Sequence, residues 1–122
     1  MQIIMGAPSV LITGYPKFSN FEHNVSEKIL SLLKKMDFGK IKIFTELLSV
    51  DEFGSNLTAN RIKSGETFDI IIHLGFSSKS KKVRFEKYAY NEYKMSHPDN
   101  SGRCISNGEI IKKNKRRWVG GG

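Results

Sequence analysis

Cys104 is the residue of this chain best suited to nucleophilic chemistry, and His97 lies seven positions before it. A thiol is nucleophilic near neutral pH when an adjacent base or positive charge favours the thiolate. Arg103 stands beside Cys104 but does not make a catalytic pair with it. The surrounding segment, from Pro98 to Asn107, is rich in turn-forming residues. We therefore expect an unreactive thiol on the surface.

The three histidines and the cysteine are also the usual ligands of zinc, but their spacing lacks the paired ligands of structural sites. His73 lies in an apolar stretch, so we interpret it as a core residue with a hydrogen-bonded ring. A phosphate site after Gly14 is not supported, because the residues that follow are not a glycine-rich cradle with a Walker lysine. The sequence predicts neither a metal nor a cofactor.

Three aromatic residues, Tyr15, Phe18 and Phe21, lie in the loop that follows the first apolar segment. They could fold back onto the core, or they could form an apolar wall for a small flat ligand. In the second case, ring stacking would add roughly 0.5–1.5 kcal/mol beyond the burial of area. The residues alone leave both interpretations open.

Alternating helix and strand patterns indicate how these residues are positioned. Apolar runs predict strands around Val10–Ile12, from Ile41 to Leu48, and at 69–74, the last with both faces covered. Capping boxes at Asn24 and Ser49 predict two helices between them, the first with an apolar stripe facing the core and a stop at Gly39. The stripe consists of Val25, Ile29, Leu32, Leu33 and Met36. The order indicates an α/β fold, a layered sheet with helices on both faces.

Gly14 and Gly75 both follow strands, so both are expected where strands end at their carboxyl edge. Open α/β sheets bind ligands at that edge. Glycines are also ordinary turn residues, so this pattern indicates where a ligand site could lie but not which ligand or reaction it serves.

Composition fits one small domain of 122 residues with 39% hydrophobic residues, and no apolar run approaches the roughly 20 residues of a membrane span. The lone cysteine and the absence of a basic leader predict a cytoplasmic protein with no membrane partner. The net charge is +8, of which five cations lie within residues 112–117. We expect this tail, 112–122, to be solvated and disordered. Without an interleaved aromatic platform we expect no nucleic-acid partner.

Glu86 opens a segment with a recognisable layout, in which Asn91 and then Pro98, Asp99 and Asn100 follow at fixed spacings. With residues 10–18 and the strand that ends at Gly75, this layout resembles the pyroglutamyl peptidase I family of cysteine peptidases. The resemblance covers about residues 8–111. We therefore treat residues 1–111 as the N-terminal part of a single family domain, and the tail resembles nothing in the family.

This resemblance implies a hydrolase that removes N-terminal pyroglutamate from peptides, with a catalytic set of Cys, His and Glu. Glu86 matches the acidic member, while the family's cysteine and histidine lie beyond Gly122. The expected substrate-binding residues are Tyr15, Phe18, Gly75 and Phe76. We accordingly expect a C-terminally incomplete chain that is inactive alone. The resemblance says nothing about its oligomeric state.

Three positions in or beside the matched motifs depart from the family pattern. Ser19 and Asn20 replace two glycines, and Ser96 stands where bacterial members carry an arginine. Because the nucleophile is not within the chain, an alternative is a noncatalytic binding protein that retains the pocket for the pyroglutamyl ring.

Overall fold

The structure is a computed structural model that describes residues 6–17, 22–112 and 114–119. Its contacts divide the chain into two compact units, Met1–Phe76 and Ser77–Gly122. We call them the amino-terminal and carboxyl-terminal units. The domain expected from the sequence, residues 1–111, spans both units and stays a prediction.

A three-stranded parallel sheet forms the amino-terminal unit. Strand β1 (Ser9–Gly14) lies between β2 (Lys42–Leu47) and β3 (Ile70–His73). Helix α1 (Val25–Leu33) connects β1 to β2, and α2 (Glu52–Lys63) connects β2 to β3. The α/β class predicted from the sequence is confirmed.

The core of this unit centres on β1, which has a strand on each side. Val10 and Ile12 pack with Leu30 of α1, and Leu11 on the opposite face has no exposed surface. Ile43 and Ile70 both pair with Val10 in the register of the sheet. The central strand is therefore the most completely buried element of the unit.

Strand β3 differs from the expectation that both of its faces would be covered. Ile70 is 53% exposed and Ile72 is 42% exposed. Within the described residues β3 pairs only with β1 and is an edge strand of this sheet. An unbroken apolar run predicts a strand that is stable when both of its faces are buried. It does not show whether residues of the same chain bury them.

Helix α1 also presents a different face from the one predicted. Ser26 and Leu30 are buried and Leu33 is partly buried against the core. The remaining residues of the predicted stripe are exposed, namely Val25, Ile29, Leu32 and Met36. Ser26 turns towards β1 because its hydroxyl hydrogen-bonds the loop after that strand, and this rotation carries Leu30 inward four residues later. The helix ends at Leu33, well before Gly39.

Helix α2 begins with a cap that the sequence pattern misassigned. The capping carboxylate belongs to Asp51, whose Oδ1 accepts the Gly54 N–H at 2.8 Å and the Ser49 hydroxyl at 2.7 Å. Ser49 therefore supports the cap but does not form it. Gly54 is required at this turn, because a Cβ there would lie 1.8 Å from the Ser49 carbonyl oxygen.

In the carboxyl-terminal unit, strand β4 (Tyr88–Tyr90) pairs antiparallel with β5 (Arg117–Val119). Part of the tail expected to be disordered thus forms a strand. The Asn91 backbone N–H also donates to the Arg116 carbonyl at 2.8 Å, which extends the pairing by one bond.

Candidate functional site

The carboxyl ends of β1 and β3 lie side by side, as the parallel sheet predicts. Thr13 is in register with His73, and the Leu74 N–H donates to the Thr13 carbonyl at 2.9 Å. This edge therefore brings together the two loops that begin at Tyr15 and Leu74. We call it the strand-end mouth.

Tyr15 is held at this mouth by the start of α1. Its backbone N–H donates to the Ser26 hydroxyl oxygen at 2.9 Å, and the Asn24 side-chain amide donates to the Pro16 carbonyl at 3.2 Å. Asn24 and Ser26 are almost fully buried and lie 2.6 Å apart through their side-chain oxygens. Burial raises the pKa of the Tyr15 phenol, so its ring stays neutral. The helix cap thus also fixes the path of the loop.

Gly14 is needed for this close approach of helix and strand. A Cβ on Gly14 would lie 2.9 Å from Leu30 Cδ1 and 3.0 Å from the Ser26 carbonyl oxygen. Any side chain at this position would push α1 away from β1. The glycine therefore serves the packing that positions Tyr15.

Thr13 and His73 form a polar pair at the centre of the mouth. The Thr13 hydroxyl is buried and lies 2.6 Å from His73 Nδ1. Burial lowers the pKa of His73, which favours the neutral ring at neutral pH. The hydrogen-bonded ring agrees with the sequence interpretation, but His73 is an exposed residue at the end of an edge strand and is not a core residue.

The other residues expected to bind the ring differ from Tyr15 in their exposure and contacts. Gly75 is exposed, and a Cβ there would meet no atom within 4 Å, so packing within the chain does not require a glycine. Phe76 follows it and is half-buried. Phe18 lies outside the described residues, as do Ser19, Asn20 and Phe21.

Glu86 belongs to the carboxyl-terminal unit, where its side chain is 77% exposed. Arg84 Nη2 lies 3.6 Å from its Oε1. An exposed pair of this kind is weak and readily exchanged for another partner. The carboxylate is thus available to an incoming group.

Asn91 and Asp99, which share the recognisable layout with Glu86, have structural roles. Asn91 is buried, and its side chain donates to the Ile111 carbonyl and accepts the Ile111 N–H, both at 2.7 Å. Asp99 accepts the N–H groups of Ser101 and Arg103 at 2.9 and 2.8 Å. Burial opposes ionisation of Asp99, but the Arg103 and Ser101 hydrogen bonds outweigh it and lower the pKa. Together they fix the loop between residues 91 and 111.

Cys104 is exposed, and its thiol lies 3.6 Å from the Met95 carbonyl oxygen. No cluster of three or more metal-ligating side chains occurs in the part of the chain that the structure describes. Across the same residues, every helix is too short or too polar to cross a membrane.

The amino-terminal unit is thus an α/β fold with a parallel sheet whose strands β1 and β3 end side by side. A family model described as pyroglutamyl peptidase matches residues 8–117. A curated relative, the pyrrolidone-carboxylate peptidase of Pyrococcus furiosus, is 30% identical over 107 residues. The chain belongs to the pyroglutamyl peptidase family. The match extends past residue 111 and includes part of the tail that showed no resemblance in the sequence.

Solved structures agree with this assignment. The pyrrolidone carboxyl peptidase of Fervidobacterium islandicum has a TM-score of 0.82 at 30% identity over 92% of this chain. That of P. furiosus has a TM-score of 0.80 at 24% identity over 91%, which supports the fold. The chain spans 49% of the curated relative's length, and 54% and 53% of the two solved chains. It therefore covers about half of the proteins it resembles.

Proposed function

We propose that the chain provides the ring-binding loops and the acidic member of the catalytic set of a cysteine-type pyroglutamyl peptidase, a hydrolase that removes N-terminal pyroglutamate from peptides. The family match over residues 8–117 carries this proposal. The activity belongs to a protein in which another segment supplies the cysteine and histidine. The present chain is inactive alone.

In this mechanism a thiolate attacks the pyroglutamyl carbonyl and a histidine protonates the departing amine. Water then hydrolyses the thioester, with the same histidine as base. Glu86 is a positioning residue, because its carboxylate would accept the second ring N–H of that histidine. The exposure of Glu86 supports this role, since nothing buries the carboxylate away from a partner.

The pyroglutamyl ring is proposed to bind between Tyr15 and Phe18, with the backbone at Gly75 and Phe76 holding the lactam. Two observations support this placement. Asn24 and Ser26 hold the Tyr15 backbone in place, and the open space beside Gly75 leaves its peptide groups accessible. We also propose the cytoplasm as the compartment, since the one cysteine cannot form an internal disulfide.

The test uses the full chain fused to the C-terminal half of the F. islandicum relative, assayed with a chromogenic pyroglutamyl amide. We expect turnover, and Glu86→Gln should lower kcat at least about tenfold with little change in KM. Glu92→Gln, which removes an exposed carboxylate from the same unit, should leave kcat unchanged. Equal activity of the Glu86→Gln and unmodified fusions would reject the assigned role.

A further inference from the structure

The charge of the molecule is concentrated in one unit. Residues 77–122 contain 12 of the 20 Lys and Arg residues and four of the 12 Asp and Glu residues. This unit therefore carries the whole net charge of +8, while residues 1–76 carry eight charges of each sign. A field of this strength attracts polyanions.

Aromatic rings and cations meet on one face of the β4–β5 ribbon. Tyr88 and Tyr90 are two positions apart on β4, so they share a face, and their ring centroids lie 6.2 Å apart. Arg117 pairs with Tyr90 and therefore lies on that face too, with its guanidinium carbon 4.6 Å from the Tyr88 ring centroid. Tyr90 is 51% exposed. We call this surface the tyrosine–arginine face.

Backbone contacts hold this face in place. Asn91 is buried and bonds both backbone groups of Ile111 at 2.7 Å. Its own N–H donates to the Arg116 carbonyl. Arg117 is therefore presented from an anchored segment, which reduces the entropy lost on binding.

Cations outnumber acidic residues in this unit by 12 to four. Glu86 lies two positions before Tyr88, and Arg84 Nη2 lies 3.6 Å from its Oε1. Asp99 accepts from Arg103 at 3.1 Å. Lys87 adds a further cation, with its Nζ 5.6 Å from the Tyr88 ring centroid.

We propose that the tyrosine–arginine face binds single-stranded nucleic acid. A base stacks on the exposed Tyr90 ring, while Arg117 and Lys87 contact the flanking phosphates. Aromatic platforms beside cations recognise unpaired bases in this way, whereas paired bases in a duplex do not expose their faces. The sequence argued against such a partner because the tail has no interleaved aromatic platform, and β4 supplies those rings in space.

Fluorescence anisotropy of a labelled oligo-dT with the full chain tests this proposal. We expect binding that is tighter than to a duplex of equal length. Tyr90→Leu should weaken it by about fivefold or more, while Tyr90→Phe, which keeps the ring, should retain it. Arg117→Gln should reduce the log–log salt slope by about 0.7, the value for one phosphate contact on a single strand.

Lys35→Gln is the matched control, because it removes one exposed cation from the neutral unit and should not change the slope. Binding that is unaffected by Tyr90→Leu, or equal for duplex and single strand, would overturn the proposal. Binding to phosphatidylserine vesicles without binding to oligo-dT would also reject it and identify an anionic membrane surface as the partner.

Discussion

At the scale of single residues, the strand-end mouth is organised by small and polar side chains. Asn24 and Ser26 fix the loop of Tyr15, and Thr13 holds the ring of His73. The sequence indicated Asn24 as a cap and Gly14 as a mouth residue. It predicted no role for Ser26. The feature that could have indicated one is a single hydroxyl residue four positions before Leu30, on the face of α1 that packs against β1.

Substitution by alanine is expected to affect stability at Gly14 but not at Gly75. Gly14→Ala should destabilise the fold by about 1–3 kcal/mol, because its Cβ would lie 2.9 Å from Leu30 Cδ1 and 3.0 Å from a backbone oxygen. Gly75→Ala should change the free energy of unfolding by less than about 0.5 kcal/mol, since its Cβ meets nothing within 4 Å. Urea unfolding measures both. Equal losses would show that the Gly14 contact is not the cause.

His73 predicts a specific pH dependence of stability. Its pKa is lowered in the folded state from the ordinary value of 6.5, chiefly by burial, so the unfolded state binds the proton more readily. The contribution of His73 to the free energy of unfolding is therefore fully present above pH 6.5. It decreases as the pH falls from 6.5 towards the lowered pKa of the folded state. His73→Gln should remove this part of the slope in urea unfolding at pH 7.5 and 5.5. An identical slope in both proteins would contradict the assignment.

At the scale of elements, the βαβαβ order and the Asn24 cap of α1 followed from the sequence, whereas the cap of α2 is Asp51 and not the predicted Ser49. Apolar periodicity did not determine which face of α1 is buried, because the Ser26 contact with the loop outweighs the placement of Val25 and Ile29. The same limit applies to β5. It has only three residues, Arg117–Val119, which are too few to show an apolar period, and they pair with β4 across a long separation in the chain.

The start of α2 offers a clear element-scale test. Asp51→Ala should lower stability by about 1 kcal/mol, because the Gly54 N–H loses its acceptor at the helix N-terminus. Asp51→Asn keeps an oxygen at the same position and should lose much less. Chemical denaturation followed by circular dichroism compares the three proteins. If Ser49→Ala lowers the free energy of unfolding more than Asp51→Ala does, the N-cap is Ser49, as the sequence pattern predicted.

At the scale of the whole molecule, several large apolar side chains of the described residues are in contact with solvent. Phe44 and Leu47 on β2 are 45% and 46% exposed, and Val83 and Phe85 are 92% and 97% exposed. Surfaces of this kind favour association. The sequence identified the family and the class of fold. It did not predict which apolar side chains are exposed, because an apolar pattern does not specify which other residues pack against it.

We propose that this chain is the half of a pyroglutamyl peptidase that carries Glu86 and the ring-binding loops, and that it has no catalytic nucleophile of its own. The most direct measurement is the turnover of a chromogenic pyroglutamyl amide by the purified chain alone. We predict no turnover above the uncatalysed rate, with or without Cys104→Ser, because Cys104 bonds to the Met95 carbonyl and its spacing from His97 does not make a catalytic pair. Turnover by the chain that disappears in Cys104→Ser would contradict the claim and identify Cys104 as the nucleophile.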